Sequence, residues 1–458
     1  MDLLKYIVGP SVSLEEMLAE REWRAAEEMR QLETCAVLMV LSTNVAGPVK
    51  TFPLLRKGFE EARRLLETRL DQEGVSWSLR GVHCHDGGPT AFYAVETEAT
   101  LAKRIACAVE ETPGLGRLLD IDVLTAGGVK LERGQEGYPP RQCLLCGRPA
   151  FECGRSRRHS VEELQRETVR RLTEYFLSQY ARQVEQAALR AMLYEVSVTP
   201  KPGLVDRRDS GAHRDMDFFT FVDSAAAIAP FFNRMCRLGY HSPRSNSAFC
   251  RELRTLGMDA EAAMYRATGG VNTHKGLIFS LGLLTAAAGQ RFALTLEGTE
   301  EPLTAKALCG TEKILAQEFL PSLKRPSNTH GHAVCTKYQA EGIRAEAVSG
   351  FESVLREVLP CLRRECGTLE QRGMWALVRL MASVEDTNVL FRGGPSALQE
   401  LACQASERLA SPPEDLEASL ADWNAALCRQ GISPGGCADL LAVGYFLYFL
   451  ETSEQKNS

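Results

Sequence analysis

Two aspartates stand two residues apart in the segment Gly116–Val123, which reads GRLLDIDV. We predict that Asp120 and Asp122 lie on a β-strand, where side chains two residues apart face the same side. Neighbouring carboxylates repel each other unless a cation neutralises them. Mg²⁺ bound to a phosphorylated substrate suits such a pair, because this ion favours one or two carboxylates together with substrate phosphates. The alternative is a strand end that carries two solvated acids.

Residues that could contact a phosphate surround this pair in the sequence. The loop 44–50 reads NVAGPVK after a predicted strand, so its backbone amides, Asn44 and the Lys50 ammonium could hold a phosphate. Arginine binds phosphate by bidentate hydrogen bonds. Arg117 precedes the aspartates in the same segment, and a local positive patch contains His159 and five arginines: Arg141, Arg148, Arg155, Arg157 and Arg158. The alternatives are an ordinary turn for the loop and a solvated charged face for the arginines.

Three cysteines and a histidine follow at close spacing. Cys143, Cys146, Cys153 and His159 form the pattern C-x2-C-x6-C-x5-H. Three thiolates and an imidazole so close together could make a tetrahedral zinc site. The gap of six residues is unusual, however, and the chain contains 15 cysteines. Reduced structural thiols are therefore the alternative.

A second set of ionisable residues lies in the C-terminal half. Residues 193–216 read LYEVSVTPKPGLVDRRDSGAHRDM, a helix that prolines stop before a polar segment. Residues 269–276 read GGVNTHKG and open a helix whose N-terminus favours an anion. Residues 385–394 (EDTNVLFRGG) and 433–441 (SPGGCADLL) add acids, an arginine and glycines. Each segment alone could be a cap, a turn or a solvated loop, but together they predict a ligand site gathered from several helices.

The elements that must position these residues differ between the two halves. In residues 1–178 the apolar patterns predict strands at 36–42, 77–83, 91–96, 118–124 and 129–132, with helices at 13–33, 54–70 and 100–110. The helix at 13–33 opens with a Ser13/Glu16 capping-box signature. Residues 183–458 predict helices at 218–238, 247–266, 275–288, 303–319, 350–359, 375–383, 395–409 and 437–450. We therefore predict two domains, a mixed α/β domain over residues 1–178 and an all-α domain over residues 183–458.

Composition narrows the class of protein. The net charge is −6, so no global basic field indicates nucleic acid. The chain opens without the basic start and apolar run of a secretory signal, and no apolar stretch approaches the roughly 20 residues that cross a bilayer. The cysteine count is odd and fits reduced thiols. We expect a cytoplasmic enzyme that acts without nucleic acid or membrane.

The N-terminal half resembles the holo-citrate lyase synthases, also called apo-citrate lyase phosphoribosyl-dephospho-CoA transferases. The matching pieces are the loop 44–50, GRLLDIDV, and PRQCLLCGRPAFECGRSRRH at 140–159. The resemblance implies a nucleotidyltransferase-like domain in which a serine of the citrate lyase acyl carrier protein, the gamma subunit, attacks the α-phosphate of triphosphoribosyl-dephospho-CoA and pyrophosphate leaves. Asp120 and Asp122 would then hold Mg²⁺.

The C-terminal half resembles the triphosphoribosyl-dephospho-CoA synthases. TPKPGLVD, GAHRDM, GGVNTHKG, GIRAEA, EDTNVLFRGG and SPGGCADLLA occur in the order of that family. The resemblance implies that the 2′-hydroxyl of 3′-dephospho-CoA attacks the anomeric carbon of ATP and adenine leaves. We expect the acid and base among Glu195, His213 and Glu346. The expected phosphate ligands are Lys201, His274, Lys275, Arg344 and Arg392. The expected Mg²⁺ ligands are Asp206, Asp215, Asp217 and Asp386.

Two alternatives to a bifunctional enzyme remain at this point. One half could be inactive and serve as a scaffold or binding module for the lyase complex. The second half could instead serve malonate decarboxylase, whose prosthetic group is the same. The retained aspartate pair and the complete motif set disfavour the scaffold, and the citrate-type first half disfavours the malonate enzyme.

Overall fold

The computed structural model describes residues 3–296, 304–323, 340 and 342–455. The chain divides into two compact units: Met1–Ser178 with Leu296–Gly298, and Gln179–Thr295 with Thr299–Ser458. The helix Val161–Ser197 contains the point of division. Each unit has its own set of buried apolar side chains.

The first unit contains a five-stranded antiparallel sheet. Its strands are β1 Val37–Thr43, β2 Ser76–His85, β3 Gly88–Glu96, β4 Leu119–Thr125 and β5 Val129–Lys130, in the order β2-β3-β1-β4-β5. In β4 the apolar residues are buried and alternate with the two aspartates, as side chains on a strand must. All five strands that the sequence predicted are present.

Helices accompany this sheet. They are α1 Leu14–Leu32, α2 Pro53–Gln72, α3 Ala99–Glu110, α4 Ala150–Ser156 and the first part of α5 Val161–Ser197, with 3₁₀ turns at Leu3–Tyr6, Gly116–Leu118 and Arg133–Glu136. The predicted capping box of α1 is confirmed: Glu16 N donates to Ser13 Oγ at 3.2 Å, and Ser13 N donates to Glu16 Oε2 at 2.7 Å. The mixed α/β character of this unit agrees with the prediction, although α4 was missed.

Every element described in the second unit is helical, as predicted. After α5 come α6 Phe218–His241, α7 Ser247–Ala267, α8 Lys275–Leu296, α9 Ala305–Phe319, α10 Ile343–Ser349, α11 Leu359–Leu362, α12 Leu369–Ser383, α13 Thr387–Ala410, α14 Leu416–Gln430 and α15 Gly435–Gln455. A 3₁₀ turn at Leu320–Leu323 and a π-helical turn at Val354–Val358 complete the set.

Three details of the second unit correct the sequence prediction. Helix α14 was missed, although Asp415 caps its start and Gly431 ends it in the left-handed conformation. Helix α10 was missed as well. Helix α13 begins at Thr387 rather than Pro395, because two helical pieces meet at Gly394, whose φ is 72°.

Helix α8 is the one helix among the described residues that is long and apolar enough to cross a membrane. In its most apolar window 83% of the residues are buried inside the protein. This burial is what the core helix of a helical domain requires, so α8 supports the fold of the second unit.

Candidate active sites

The predicted carboxylate pair lies on one face of β4, where both side chains already have basic partners. Lys130 Nζ lies 2.5 Å from Asp122 Oδ1, and Arg141 Nη2 lies 3.2 Å from Asp120 Oδ1. Glu28 on α1 is a third acid that the sequence did not indicate: burial, and next the Asp122 carboxylate, raise the pKa of Glu28. The two aspartates are therefore partly neutralised by bases, and the Asp120 side chain, which is 43% exposed, is open to solvent.

The loop 44–50 begins at the same end of the sheet as this pair. Ser42 of β1 is in register with Asp120, and Asn44 N donates to Leu118 O at 2.8 Å. The Asn44 side chain is exposed, but Lys50 Nζ donates to Val45 O at 2.7 Å and thereby ties the loop to itself. Asn44 is thus free to meet a ligand, whereas Lys50 must leave a backbone partner to do so.

The predicted arginines divide into two groups. Arg117 donates to Gln142 O and is half-buried beside the aspartates. Arg155 and Arg158 are exposed at the end of α4, and Arg155 lies 6.0 Å from the ring centre of Phe151. Arg141 contacts the start of β4 by donating to Leu119 O at 2.7 Å, and Arg117, just before β4, contacts the residue that follows Arg141.

The cysteine cluster is brought together as its spacing predicted. The side-chain donor atoms of Cys143, Cys146, Cys153 and His159 all lie within 4.8 Å of one another. Among the described residues, this is the one group of three or more cysteines, histidines and acids that converges closely enough to hold a metal ion.

The second unit contains a cavity of about 970 Å³, at the upper end of the range for small-molecule sites. Its walls come from the end of α5, from α7, from the starts of α8 and α15, and from the segments around 342–346 and 384–392. The cavity brings together these sequence-predicted residues: Glu195, Lys201, His213, His274, Lys275, Arg344, Glu346, Asp386 and Arg392.

Asp206, Asp215 and Asp217 are absent from the cavity lining. Asp206 is buried and accepts backbone hydrogen bonds from Lys201, Arg208 and Asp209, so its carboxylate closes the loop. Asp217 caps α6 by accepting from Thr220 N at 2.9 Å. Their oxygens hold backbone N–H groups, which explains why acids occur in this connection.

Two of the cations that line the cavity, Lys201 and Lys275, contact acids. The buried Lys201 ammonium contacts Glu195. Lys275 Nζ lies 2.7 Å from Glu261 Oε2, a partner on α7 that the sequence did not reveal. Arg344 is exposed at the cavity, and Arg392 donates to Gly431 O at 3.1 Å. A negatively charged ligand would meet positive charge from four different segments.

Three of the carboxylates that line the cavity are Glu195, Asp386 and Asp439. Burial raises the pKa of Glu195, although the Lys201 ammonium opposes the shift. Burial also raises the pKa of Asp386, whose oxygens accept from the backbone N–H groups of Asn388, Val389 and Cys437. The sequence placed the segment 433–441 in the site but gave Asp439 no role, yet burial and the charges of Glu195 and Asp386 raise the pKa of Asp439 well above the usual value. An acid within an otherwise apolar helix was the signal for it.

His274 and Glu346 each present an unused polar atom. Ser224 Oγ lies 2.7 Å from His274 Nδ1, and Thr273 Oγ1 donates to Ser224 Oγ, so the serine proton is directed at Nδ1. His274 Nε2 has no hydrogen-bond partner among the described residues, and burial, followed by the Lys201 charge, lowers the pKa of this histidine to about 3. The ring is therefore neutral, with an N–H left for a ligand.

Glu346 shows the same pattern with a carboxyl group. Its Oε1 accepts from Ser353 Oγ at 2.6 Å, whereas its buried Oε2 has no hydrogen-bond partner among the residues described. Burial raises the pKa of Glu346 and outweighs the opposing hydrogen bonds from Ser353. A carboxyl group of this kind holds its proton at higher pH than an exposed glutamate does.

Both ring nitrogens of His213 are engaged. Nε2 lies 2.9 Å from Ser433 Oγ, and Arg392 Nη2 lies 3.4 Å from Nδ1. A guanidinium group only donates, so Nδ1 is the acceptor and Nε2 carries the proton. Burial, and then the Arg392 charge, lower the pKa of His213. This histidine joins Arg392 to the segment before α15.

Comparison with known proteins gives two family matches. The family described as ATP:dephospho-CoA triphosphoribosyl transferase matches residues 181–458, and the family described as apo-citrate lyase phosphoribosyl-dephospho-CoA transferase matches residues 12–175. Protein CitXG of Leuconostoc mesenteroides subsp. cremoris is 33% identical over 96% of this chain and 97% of its own length. Protein CitXG of Haemophilus influenzae is 32% identical over 96% of each chain. A probable 2-(5′′-triphosphoribosyl)-3′-dephosphocoenzyme-A synthase of Streptococcus equi subsp. zooepidemicus is 41% identical over 58% of this chain and 96% of its own.

Proposed function

The chain belongs to the family in which the two citrate lyase prosthetic-group activities are fused, and from this premise we propose how its residues divide the work. The protein is a bifunctional transferase. Its second half forms triphosphoribosyl-dephospho-CoA from ATP and dephospho-CoA with release of adenine. Its first half transfers the phosphoribosyl-dephospho-CoA group to apo-citrate lyase with release of pyrophosphate.

The observation that carries the second reaction is the cavity itself. Motif segments far apart in the sequence meet around about 970 Å³, enough space for two nucleotide substrates to approach each other. The walls offer cations for a triphosphate and acids for proton transfer. A scaffold module would have no need for this combination, so the geometry favours catalysis.

We assign the proton transfers to two acids of the cavity. In the reaction the 2′-oxygen bonds to the anomeric carbon as the bond to adenine breaks, so adenine needs a proton and the hydroxyl must lose one. Glu346 supplies the proton to adenine, because its raised pKa preserves the acid form and its Oε2 is unused. Glu195 takes the hydroxyl proton, because burial increases its proton affinity and the neighbouring Lys201 ammonium favours its carboxylate form.

We assign a divalent cation to Asp386 and Asp439. Burial, and then the negative charges of Glu195 and Asp386, raise the pKa of Asp439, and the Lys201 ammonium contacts Glu195. Mg²⁺ held by Asp386 and Asp439 would offset this charge and that of the triphosphate. Asp215, which is exposed near His213, remains a more distant ligand candidate in this proposal.

The remaining cavity residues hold the triphosphate. Lys275 and Arg344 contribute charge, and Arg392 is oriented for this task by His213, which acts as a positioning residue. His274 is neutral, so it contributes a hydrogen bond from Nε2 rather than a charge. A neutral donor suits a phosphate oxygen or a ring nitrogen of the departing base equally.

In the first unit we propose that Asp120 and Asp122 hold Mg²⁺ for a nucleotidyltransferase-type reaction. Lys130 and Arg141 offset the charge of these acids, and the half-exposed Lys130 can turn to the phosphates when a cation enters. A serine of the acyl carrier protein, the gamma subunit of citrate lyase, attacks the α-phosphate, and Asn44 and Arg117 contact the nucleotide. We place the enzyme in the cytoplasm, where its nucleotide substrates occur.

One incubation tests both reactions. The purified chain is mixed with ATP, 3′-dephospho-CoA, Mg²⁺ and apo acyl carrier protein of citrate lyase, and mass spectrometry follows the small molecules and the carrier protein. We expect free adenine, the triphosphoribosyl intermediate, and a carrier protein heavier by one phosphoribosyl-dephospho-CoA group. Adenine without modified carrier protein would mean that the first unit is a binding module. Modification of the malonate decarboxylase carrier protein in preference to that of citrate lyase would reassign the partner.

A further inference from the structure

The cluster Cys143, Cys146, Cys153 and His159 has the dimensions of a tetrahedral metal site. Cys146 Sγ lies 3.5 Å from Cys153 Sγ and 3.4 Å from His159 Nε2, and all four donor atoms lie within 4.8 Å. Zinc bonds of about 2.3 Å to sulfur and about 2.0 Å to nitrogen place tetrahedral ligand atoms about 3.5–3.8 Å apart. The sulfur atoms are also too far apart for a disulfide, whose bond is about 2.05 Å long.

The backbone around the first two cysteines is folded as a tight turn. Cys143 N donates to Arg148 O at 2.7 Å, and Gln142 forms a β-bridge with Pro149. The backbone N–H groups of Leu145 and Cys146 point at Cys143 Sγ. The turn brings the side chains of Cys143 and Cys146 close together, as two ligands of one ion must be.

The segment that contains the cluster has little else to hold it together. Between residues 131 and 160, Cys153 is the one buried residue. A stretch of 30 residues with a single buried side chain gains little folding free energy from the hydrophobic effect. Small structures that lack a hydrophobic core commonly depend on a metal ion for their stability. The ligands come from three parts of this stretch: the turn with Cys143 and Cys146, helix α4 with Cys153, and the connection to α5 with His159.

The same segment delivers an arginine to the carboxylate pair. Arg141 stands two residues before Cys143, donates to Leu119 O at 2.7 Å and pairs with Asp120 and with the buried Glu110. Ala150 N donates back to Arg141 O at 2.7 Å. Anything that fixes the cysteine turn therefore also fixes Arg141 against the start of β4.

We propose that Cys143, Cys146, Cys153 and His159 bind one zinc ion, which stabilises this segment and holds Arg141 beside Asp120. Four protein ligands leave no open position, so the ion is structural. The proposal does not depend on the substrates assigned above, and a failure of one leaves the other intact.

The test begins with zinc content of the full chain, purified under reducing conditions and measured by mass spectrometry of the metal. We expect about one zinc per chain, as a four-ligand site implies. Cys146→Ser should lose the ion, whereas Cys84→Ser, an exposed cysteine of the same unit outside the cluster, should retain it. Replacement by Co²⁺ should give the absorption of tetrahedral thiolate coordination.

Two variants at the fourth ligand, His159, distinguish loss of the zinc ligand from loss of folding. His159→Cys substitutes a thiolate for the imidazole and should keep about one zinc, whereas His159→Ala should bind it weakly. Removal of zinc by a chelator should lower the melting temperature of the first unit and slow transfer to the carrier protein, with adenine release unchanged. Wild-type protein without zinc, or zinc that survives Cys146→Ser, would overturn the proposal.

Discussion

Gly276 and Asp439 approach so closely that a Cβ atom on Gly276 would lie 2.2 Å from Asp439 Oδ2. The first turn of α8 can therefore meet the acid of α15 only because residue 276 has no side chain. The relationship fixes the position of Asp439 relative to Lys275, the first residue of α8. The last glycine of the GGVNTHKG motif is therefore required for steric reasons.

Gly276→Ala should reduce adenine release roughly 10–100-fold, because displacement of a reacting group by about 1 Å has an effect of this order. The control is Gly310→Ala, at a helical glycine of α9 where no atom lies within 4 Å of the new Cβ. That variant should keep its activity and gain up to about 1 kcal/mol of stability. The two rates are compared at saturating ATP. Equal activity of both variants would show that Asp439 has no part in the reaction.

Glu346→Gln should lower adenine release about 10²–10⁴-fold if the carboxyl group donates the proton. The acid form is the active one, so the wild-type rate should fall as the pH rises through the raised pKa of Glu346. The glutamine variant should lack that alkaline limb. A pH profile of adenine release measures both effects, and an unchanged limb in the variant would assign it to another group.

The sequence predicts contacts between residues that are close together along the chain better than contacts between distant residues. The capping box Ser13/Glu16 and the cysteine cluster involve residues at most 16 apart, so spacing alone predicted that they would meet. The pairing of Lys275 with Glu261 and the approach of Asp439 to Gly276 depend on how helices pack, which no local pattern encodes. Asp206 and Asp217 show the converse ambiguity: their oxygens accept hydrogen bonds from backbone N–H groups, and a sequence pattern does not distinguish such a cap from a metal ligand because both use the same residue type.

Lys275→Ala should weaken the apparent affinity for ATP about 10–150-fold, since loss of a charge-assisted contact costs on the order of 1.5–3 kcal/mol. Glu261→Gln removes the resting partner of this ammonium but keeps the ammonium, so it should have a smaller effect. Lys313→Ala, at an exposed lysine of α9, serves as the control for loss of one positive charge. The KM for ATP is the quantity to compare, and a normal value in Lys275→Ala would remove this residue from the site.

His274 should make the second unit sensitive to acid. Its folded-state pKa of about 3 lies below the usual 6.5, so the folded state resists protonation that the unfolded state accepts. Stability is then full above pH 6.5 and falls by at most about 1.4 kcal/mol per pH unit as the pH drops toward 3. Denaturant unfolding between pH 7 and 4.5 should show a smaller pH dependence in His274→Asn than in wild type. His241→Asn, at an exposed histidine of α6, should behave as wild type.

The double substitution Asp120→Asn with Asp122→Asn should separate the two activities. It removes both negative charges from this face of β4, so Lys130 loses Asp122 and Arg141 keeps Glu110 but loses Asp120. A cation therefore loses its ligands there. Transfer to the acyl carrier protein should fall at least about 100-fold, the size of effect expected when charge stabilisation of a transition state is lost. Adenine release should stay within about twofold of wild type, because its cavity is lined by residues 195–440 alone.

Asp86→Asn, at an exposed acid in the turn between β2 and β3, controls for the loss of surface charge. Intact transfer by the double variant would exclude the carboxylates from the reaction, whereas simultaneous loss of both activities, with normal unfolding, would mean that the two reactions share a site.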